Sequence, residues 1–150
     1  MTVQDIIKLK PEDIEKHVVR KYVPVAEKKV ILQTLFDKSV AITEAGTKYV
    51  DEFLDSINYV YGIMILYTDV ELDTQTTFDD YDALMSSDAF QVILHNIPQD
   101  ELDRLNYIHS CIKKTFDSIE KNVVEVIKRE LSGAEAVLQT LVDNMPQESE

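Results

Sequence analysis

Residues 57–67 read INYVYGIMILY, eleven consecutive positions without a charge, flanked by Asp55 and Asp69. As a helix this run rises about 16 Å, well short of the roughly 30 Å of hydrocarbon in a bilayer. It reads as a buried core helix, not a membrane element. The wider segment 49–72 is expected to form one long helix, apolar nearly all round in its second half, a pattern that belongs at the centre of a bundle. Gly62 lies inside it, at a cost of about 1 kcal/mol relative to alanine.

Working outward, the dominant period stays helical. Upstream, Val25, Val30, Ile31, Leu35 and Phe36 recur at helical spacing from Pro24 to about Val40. Pro24 ends one helix and starts the next, because the residue before a proline disfavours the α region. Pro11 suits a first helical position, with Glu12 and Asp13 favouring the positive end of the helix dipole. A short amphipathic piece covers residues 3–8. Between the helices, residues 41–48 (AITEAGTK) read as a helix-to-helix connection, with a two-strand excursion around Gly46 as the alternative.

Downstream, residues 73–78 read as a polar loop. One or two short helices follow, carrying Phe78, Tyr81, Leu84 and Met85, then Phe90, Val92, Ile93, Leu94 and Ile97. Pro98 opens the longest element, expected over about 99–131. Leu105, Ile112, Ile119 and Val126 recur every seven residues, interleaved with Leu102, His109, Phe116, Val123 and Glu130. This is a coiled-coil-like seam with two polar members, His109 and Glu130. Leu105, Ile112, Phe116, Ile119, Val123 and Val126 are its candidate packing or oligomer residues. A second stripe, Ile108, Cys111, Val124, Ile127 and Leu131, widens the face. Ser132-Gly133 is read as its end, since glycine often follows a last turn. A final helix is expected over about 134–144, and residues 146–150 (PQESE) as a disordered tail. The expected fold is all-α: a single-domain bundle of five to seven helices over 1–145.

Composition bounds the function. At 150 residues one domain is expected, with three glycines, four prolines and one cysteine, Cys111, so no internal disulfide can form. The N-terminal MTVQDIIKLKPEDIEKH lacks a signal-peptide pattern, being interrupted by Asp5 and Lys8. The formal net charge is −13, and residues 49–103 hold thirteen acids and no Lys or Arg. Direct nucleic-acid binding is disfavoured, because phosphate contacts need clustered cations. Lys8, Lys10, Lys16, Arg20, Lys21, Lys28 and Lys29 make the N-terminal region locally basic, interleaved with Glu12, Asp13, Glu15 and Glu27. It reads as a solvated amphipathic surface, with a docking face for an acidic neighbour as the alternative.

The acids Asp69, Glu71, Asp73, Asp79, Asp80 and Asp82 form the candidate interaction surface. Asp69, Glu71, Asp73, Gln75, Thr77 and Asp80 also fit positions 1, 3, 5, 7, 9 and 12 of a calcium-loop frame. Thr74 stands where that loop needs glycine, and Asp80 where it needs a long bidentate glutamate. Asp69, Glu71, Asp73 and Asp80 are therefore only a weak metal candidate. No nucleophile elbow, Ser-His-Asp order or phosphate-cradling glycine loop is present. His109 and Cys111 point about 200° apart on a helix, so they cannot act as a pair. Cys111 is expected in the core, and His109 as a packed or register-setting residue. No cofactor and no enzymatic activity are expected.

Three stretches, KYVPVAEKKVILQTL, GTKYVDEFLDSINYVYGIMILYTDVEL and FDDYDALMSSDAFQVILHNIPQDEL, resemble small acidic helical proteins of tailed bacteriophages of Gram-positive bacteria. The pieces that carry the resemblance, over residues 21–105, are Tyr22-Val23-Pro24, Tyr67-Thr68-Asp69 with Glu71-Leu72, and Tyr81-Asp82 with Ile97-Pro98. It implies a phage setting, in the host cytoplasm or the virion, and no catalytic roles. The expectation is a non-enzymatic protein–protein interaction component of connector, neck or capsid-accessory type, able to form homo-oligomers. An acidic inhibitor that fills a cationic, nucleic-acid-binding groove of a host protein is the alternative. A divalent-cation-binding helical protein is the third reading.

Overall fold

The computed structural model describes residues 1–73 and 78–144. Among them are seven α-helices and one small antiparallel hairpin. In order these are α1 (Val3–Ile6), α2 (Pro11–Ile14), a 3-10 turn (Glu15–His17), α3 (Val25–Asp37), β1 (Val40–Ile42), β2 (Lys48–Val50), α4 (Glu52–Tyr67), α5 (Asp79–Met85), α6 (Ala89–Asn96) and α7 (Gln99–Asp143). The expected all-α helical bundle is thus present. The chain divides into two units, residues 1–112 and 113–150.

In the first unit α4 is the core helix that its apolar run demands. Ile57, Met64, Leu66 and Tyr67 are at most 1% exposed. Its main neighbour is α3, which presents Leu32, Leu35 and Phe36, all buried. Gly62 lies at that contact: a Cβ added there would sit 3.0 Å from Leu32 Cδ2 and 3.5 Å from Leu35 Cδ1. The missing side chain is what lets the two helices approach.

Four boundaries differ from the sequence reading. Residues 41–48 belong to a hairpin, with Val40 opposite Val50 and Ile42 opposite Lys48. Gly46 turns it with φ +82°, a conformation glycine adopts without strain. Asp51 N–H donates to Ser39 O at 2.8 Å, fixing the hairpin base. Helix α4 therefore begins at Glu52, not 49, capped by Asp51, whose side chain accepts from Leu54 N at 3.0 Å. It ends at Tyr67, not 72, because Thr68 is extended and bridges Val18, while Glu71 bridges Thr2. Helix α7 continues through Ser132-Gly133 to Asp143. Gly133 keeps a negative φ, so it weakens the helix without ending it. Cys111 is exposed rather than in the core. It lies on the opposite side of α7 from His109, which faces the core of its unit. The expected tail, 146–150, lies outside the described residues.

The N-terminal segment packs into the first unit, with Thr2 bridging Glu71. Val3 and Ile6 are fully buried. The Asp5 carboxylate accepts from the Thr2 hydroxyl (2.7 Å) and the Thr2 N–H (3.2 Å), which holds its carboxyl below the ordinary range. Pro11 takes the first helical position of α2, as its fixed φ predicts. From α7, Glu101, Leu105 and Ile112 are buried in this unit. His109 Nε2 meets Asp55 Oδ1 at 3.0 Å beside the Tyr59 ring, at 4.7 Å between centroids.

The second unit holds the rest of α7. From residue 121 to 144 every position is exposed.

Candidate functional site

The six acids of the candidate surface do not share one site. Glu71, Asp73, Asp79 and Asp80, with Thr2, Gln4 and Leu72, line one open concavity of about 710 Å³. Asp80 is buried and accepts from the Asp73 N–H at 2.8 Å, so its role is to hold the loop's end. Asp79 and Asp82 lie exposed in the first turn of α5, where carboxylates suit the helix dipole. Asp69 is placed elsewhere: its Oδ1 lies 2.9 Å from His17 Nδ1. The calcium-frame positions Thr74, Gln75 and Thr77 lie outside the described residues. Among the described residues no group of three or more His, Cys, Asp or Glu could hold a metal ion.

Sequence reasoning set Lys28 in a basic surface region, but the structure buries it in the most enclosed charged cluster, beside Glu101. Lys28 Nζ lies 2.7 Å from Glu101 Oε2, with side chains 0% and 3% exposed. Glu101 Oε2 also accepts from the Val23 N–H and the Tyr67 hydroxyl, each at 3.1 Å. Arg104 Nη1 reaches Glu101 Oε1 at 3.3 Å from the half-exposed rim. Burial pushes the Glu101 carboxyl up. Its contacts to Lys28, Val23 and Tyr67 outweigh that and leave it below the ordinary glutamate value. Burial, then the Glu101 carboxylate, pushes the Tyr67 phenol up strongly. A signal was available: Lys28 precedes Leu32 and Leu35 by four and seven, and Glu101 precedes Leu105 by four. Both charges thus fall on apolar helix faces. Buried except for Arg104, this cluster joins α3, α4 and α7.

The candidate seam also separates. Leu105 and Ile112 are core residues of the first unit, 0% and 6% exposed. Phe116 is half-buried, whereas Ile119, Val123 and Val126 are 48–55% exposed. Val124, Ile127, Leu131, Val137, Leu138, Leu141 and Val142 are exposed too. Ten large apolar side chains between 119 and 142 therefore face solvent on one helix. Seven positions, Ile119, Val123, Ile127, Leu131, Ala134, Leu138 and Leu141, fall within an arc of about 120° at 3.6 residues per turn. Their spacing runs 4, 4, 4, 3, 4 and 3. No helix in the described chain is long and apolar enough to cross a membrane.

Against known protein families, curated proteins and solved structures, the chain finds no match.

Proposed function

We propose that this protein is a non-enzymatic assembly component that works by docking helical surfaces, in a phage particle or on the path to one. The single observation that supports it is the run of ten exposed apolar side chains on α7 between 119 and 142. Isolated exposed apolar residues are ordinary, but a continuous patch of this size marks an interaction surface. The buried Glu101 carboxylate supports the same reading, since its contacts to Lys28, Val23 and Tyr67 tie helices together in the core of the unit. The phage setting rests on the sequence resemblance of residues 21–105.

Gradient-purified particles from the producing phage test this. The unaltered chain is expected in them, and a chain carrying Leu131→Glu with Leu138→Glu is expected to be lost from them. A chain absent from particles at every stage of assembly overturns the reading.

The acidic concavity favours a second reading, an inhibitor that fills a cationic groove. Glu71, Asp73 and Asp79 present carboxylates there with no Lys or Arg among residues 49–103. Such binding weakens steeply between low and moderate salt. Replacing Glu71 by Gln with Asp79 and Asp82 by Asn is expected to abolish inhibition while leaving the buried Asp80 in place. Inhibition that survives these changes excludes this reading.

A further inference from the structure

We infer that the occupant of the exposed apolar face of α7 is a second copy of the same chain, which makes the protein a homo-oligomer held together by residues 119–142. This inference rests on the docking role proposed above and names the partner.

Three observations carry it. The first is periodicity. Ile119, Val123, Ile127, Leu131, Leu138 and Leu141 follow one another along a single helix face, with Ala134 filling the one longer gap, so every step is three or four residues. That is the pattern by which helices of equal length interdigitate. The run of three consecutive four-residue steps, from Ile119 to Leu131, departs from a strict heptad. Insertions of this kind locally unwind a left-handed supercoil, so the helices there run nearly straight.

The second is area. Full burial of an aliphatic side chain is worth what roughly 60–120 Å² of apolar surface gives. Ten such side chains on each of two copies amount to roughly 1,200–2,400 Å². A specific interface needs about 1,000 Å² or more, so two copies suffice. The 24 residues span about 36 Å of helix, enough for several interlocking layers.

The third is charge. Residues 1–112 carry ten basic and twenty acidic residues, whereas 113–143 carry five and six. A cationic partner would find its field on the first unit and almost none on the helix. The helix instead mixes signs beside its apolar face: Lys121, Lys128 and Arg129 alternate with Glu120, Glu125 and Glu130. A surface of near-zero net charge with both signs interspersed is complementary to itself. A membrane surface fits it poorly, because interfacial helices carry a cationic polar face.

The salt dependence follows with a definite sign. Bringing two copies together also brings together two first units of net charge −10. Screening relieves that repulsion, so self-association tightens with salt. Docking of an acidic chain to a basic partner weakens with salt.

Sedimentation equilibrium of the purified full chain is the test. The expected mass is an integer multiple of 17.2 kDa, with the dissociation constant falling several-fold between 0.05 and about 0.5 M salt. Leu131→Glu with Leu138→Glu is expected to give the monomer while the far-ultraviolet helix signal of the first unit and its melting are retained. If that variant fails to fold, Ile127→Gln with Leu138→Gln replaces it. A purified wild-type chain that stays monomeric at about 0.1 mM overturns the inference, as does an oligomer indifferent to both variants. Flotation of a monomeric chain with anionic phospholipid vesicles also overturns it. Failure here is separable from failure of the assembly role. A monomeric chain that still enters particles through Leu131 and Leu138 has another particle protein as its occupant. An oligomer that never enters particles removes the assembly role and keeps the self-contact.

Discussion

Lys28 and Glu101 sit where helical spacing would place leucines, and the protein keeps both charged. Taking an ion from water into a protein interior costs several kcal/mol, so each charge is tolerable only beside the other. Replacing Lys28 by Met alone leaves the Glu101 carboxylate buried against Tyr67 and Val23, with Arg104 as its only cation. We predict a loss of about 3–5 kcal/mol in urea unfolding for this single change. Lys28→Met combined with Glu101→Gln is predicted to recover much of it, so the cycle shows strong coupling. Additive single effects would mean that the pair contributes nothing as a pair.

The same cluster sets a pH dependence. Glu101 has its folded value below its unfolded one. Its contribution is therefore present above the ordinary glutamate value, about 4.3, and is lost as pH falls through the folded value. The stability gap between wild type and Glu101→Gln is predicted to narrow as pH drops below about 4. At the alkaline end the sign reverses. Burial pushes Tyr59 up to about 12, and Tyr67 is also raised. Their contribution is intact below about pH 10 and lost as pH rises through the folded values. A spectrophotometric titration is predicted to show part of the tyrosinate absorbance delayed to about pH 12 and arriving together with unfolding. Complete ionisation near pH 10 with the fold intact would contradict the burial of both phenols.

Among the elements, two glycines give opposite forecasts. Gly133 has helical backbone, and a methyl group placed on it would meet nothing within 4 Å. Gly133→Ala is predicted to strengthen α7 by up to about 1 kcal/mol, read as a higher midpoint for the loss of helix signal. Gly62 faces Leu32 and Leu35, so Gly62→Leu is predicted to cost about 3 kcal/mol by forcing α3 and α4 apart. The elements also show where the chain could be read. Pro11 marks a helix start because proline's missing N–H does no harm in a first turn, Pro24 and Pro98 stand just before α3 and α7, and INYVYGIMILY marks the core because no solvated face remains. The hairpin is legible only as an alternative to a plain connection, because its strands are three residues long and its base is fixed by Ser39, twelve residues from Asp51. Gly133 misled because glycine ends helices through a positive φ, and sequence does not reveal φ. The acidic surface was legible as composition only. That Asp69 turns to His17, 52 positions away, and that Asp80 is buried are products of long-range packing.

At the scale of the whole molecule, every buried residue among those described lies in the first unit and none in the second. A chain ending at residue 118 is accordingly predicted to keep a cooperative melt within about 4–8 °C of the full chain, the shift that about 1 kcal/mol makes in a domain of this size. A non-cooperative melt would show that the second unit is needed for the first to fold. The division of labour is physical: a self-sufficient, strongly acidic body and a nearly neutral helix that exposes its apolar face. The body resists indiscriminate aggregation through its charge, while the helix offers one defined place for contact.

The inaccessibility of the Lys28 amine has a practical sequel. Of the twelve lysines in the chain, this one is enclosed by α3, α4 and α7. An acylating reagent can reach it only when those helices part, so the pace of its modification, followed by peptide mass spectrometry, clocks how often the native bundle opens. The molecule thus carries its own stopwatch, and no probe has to be engineered into it.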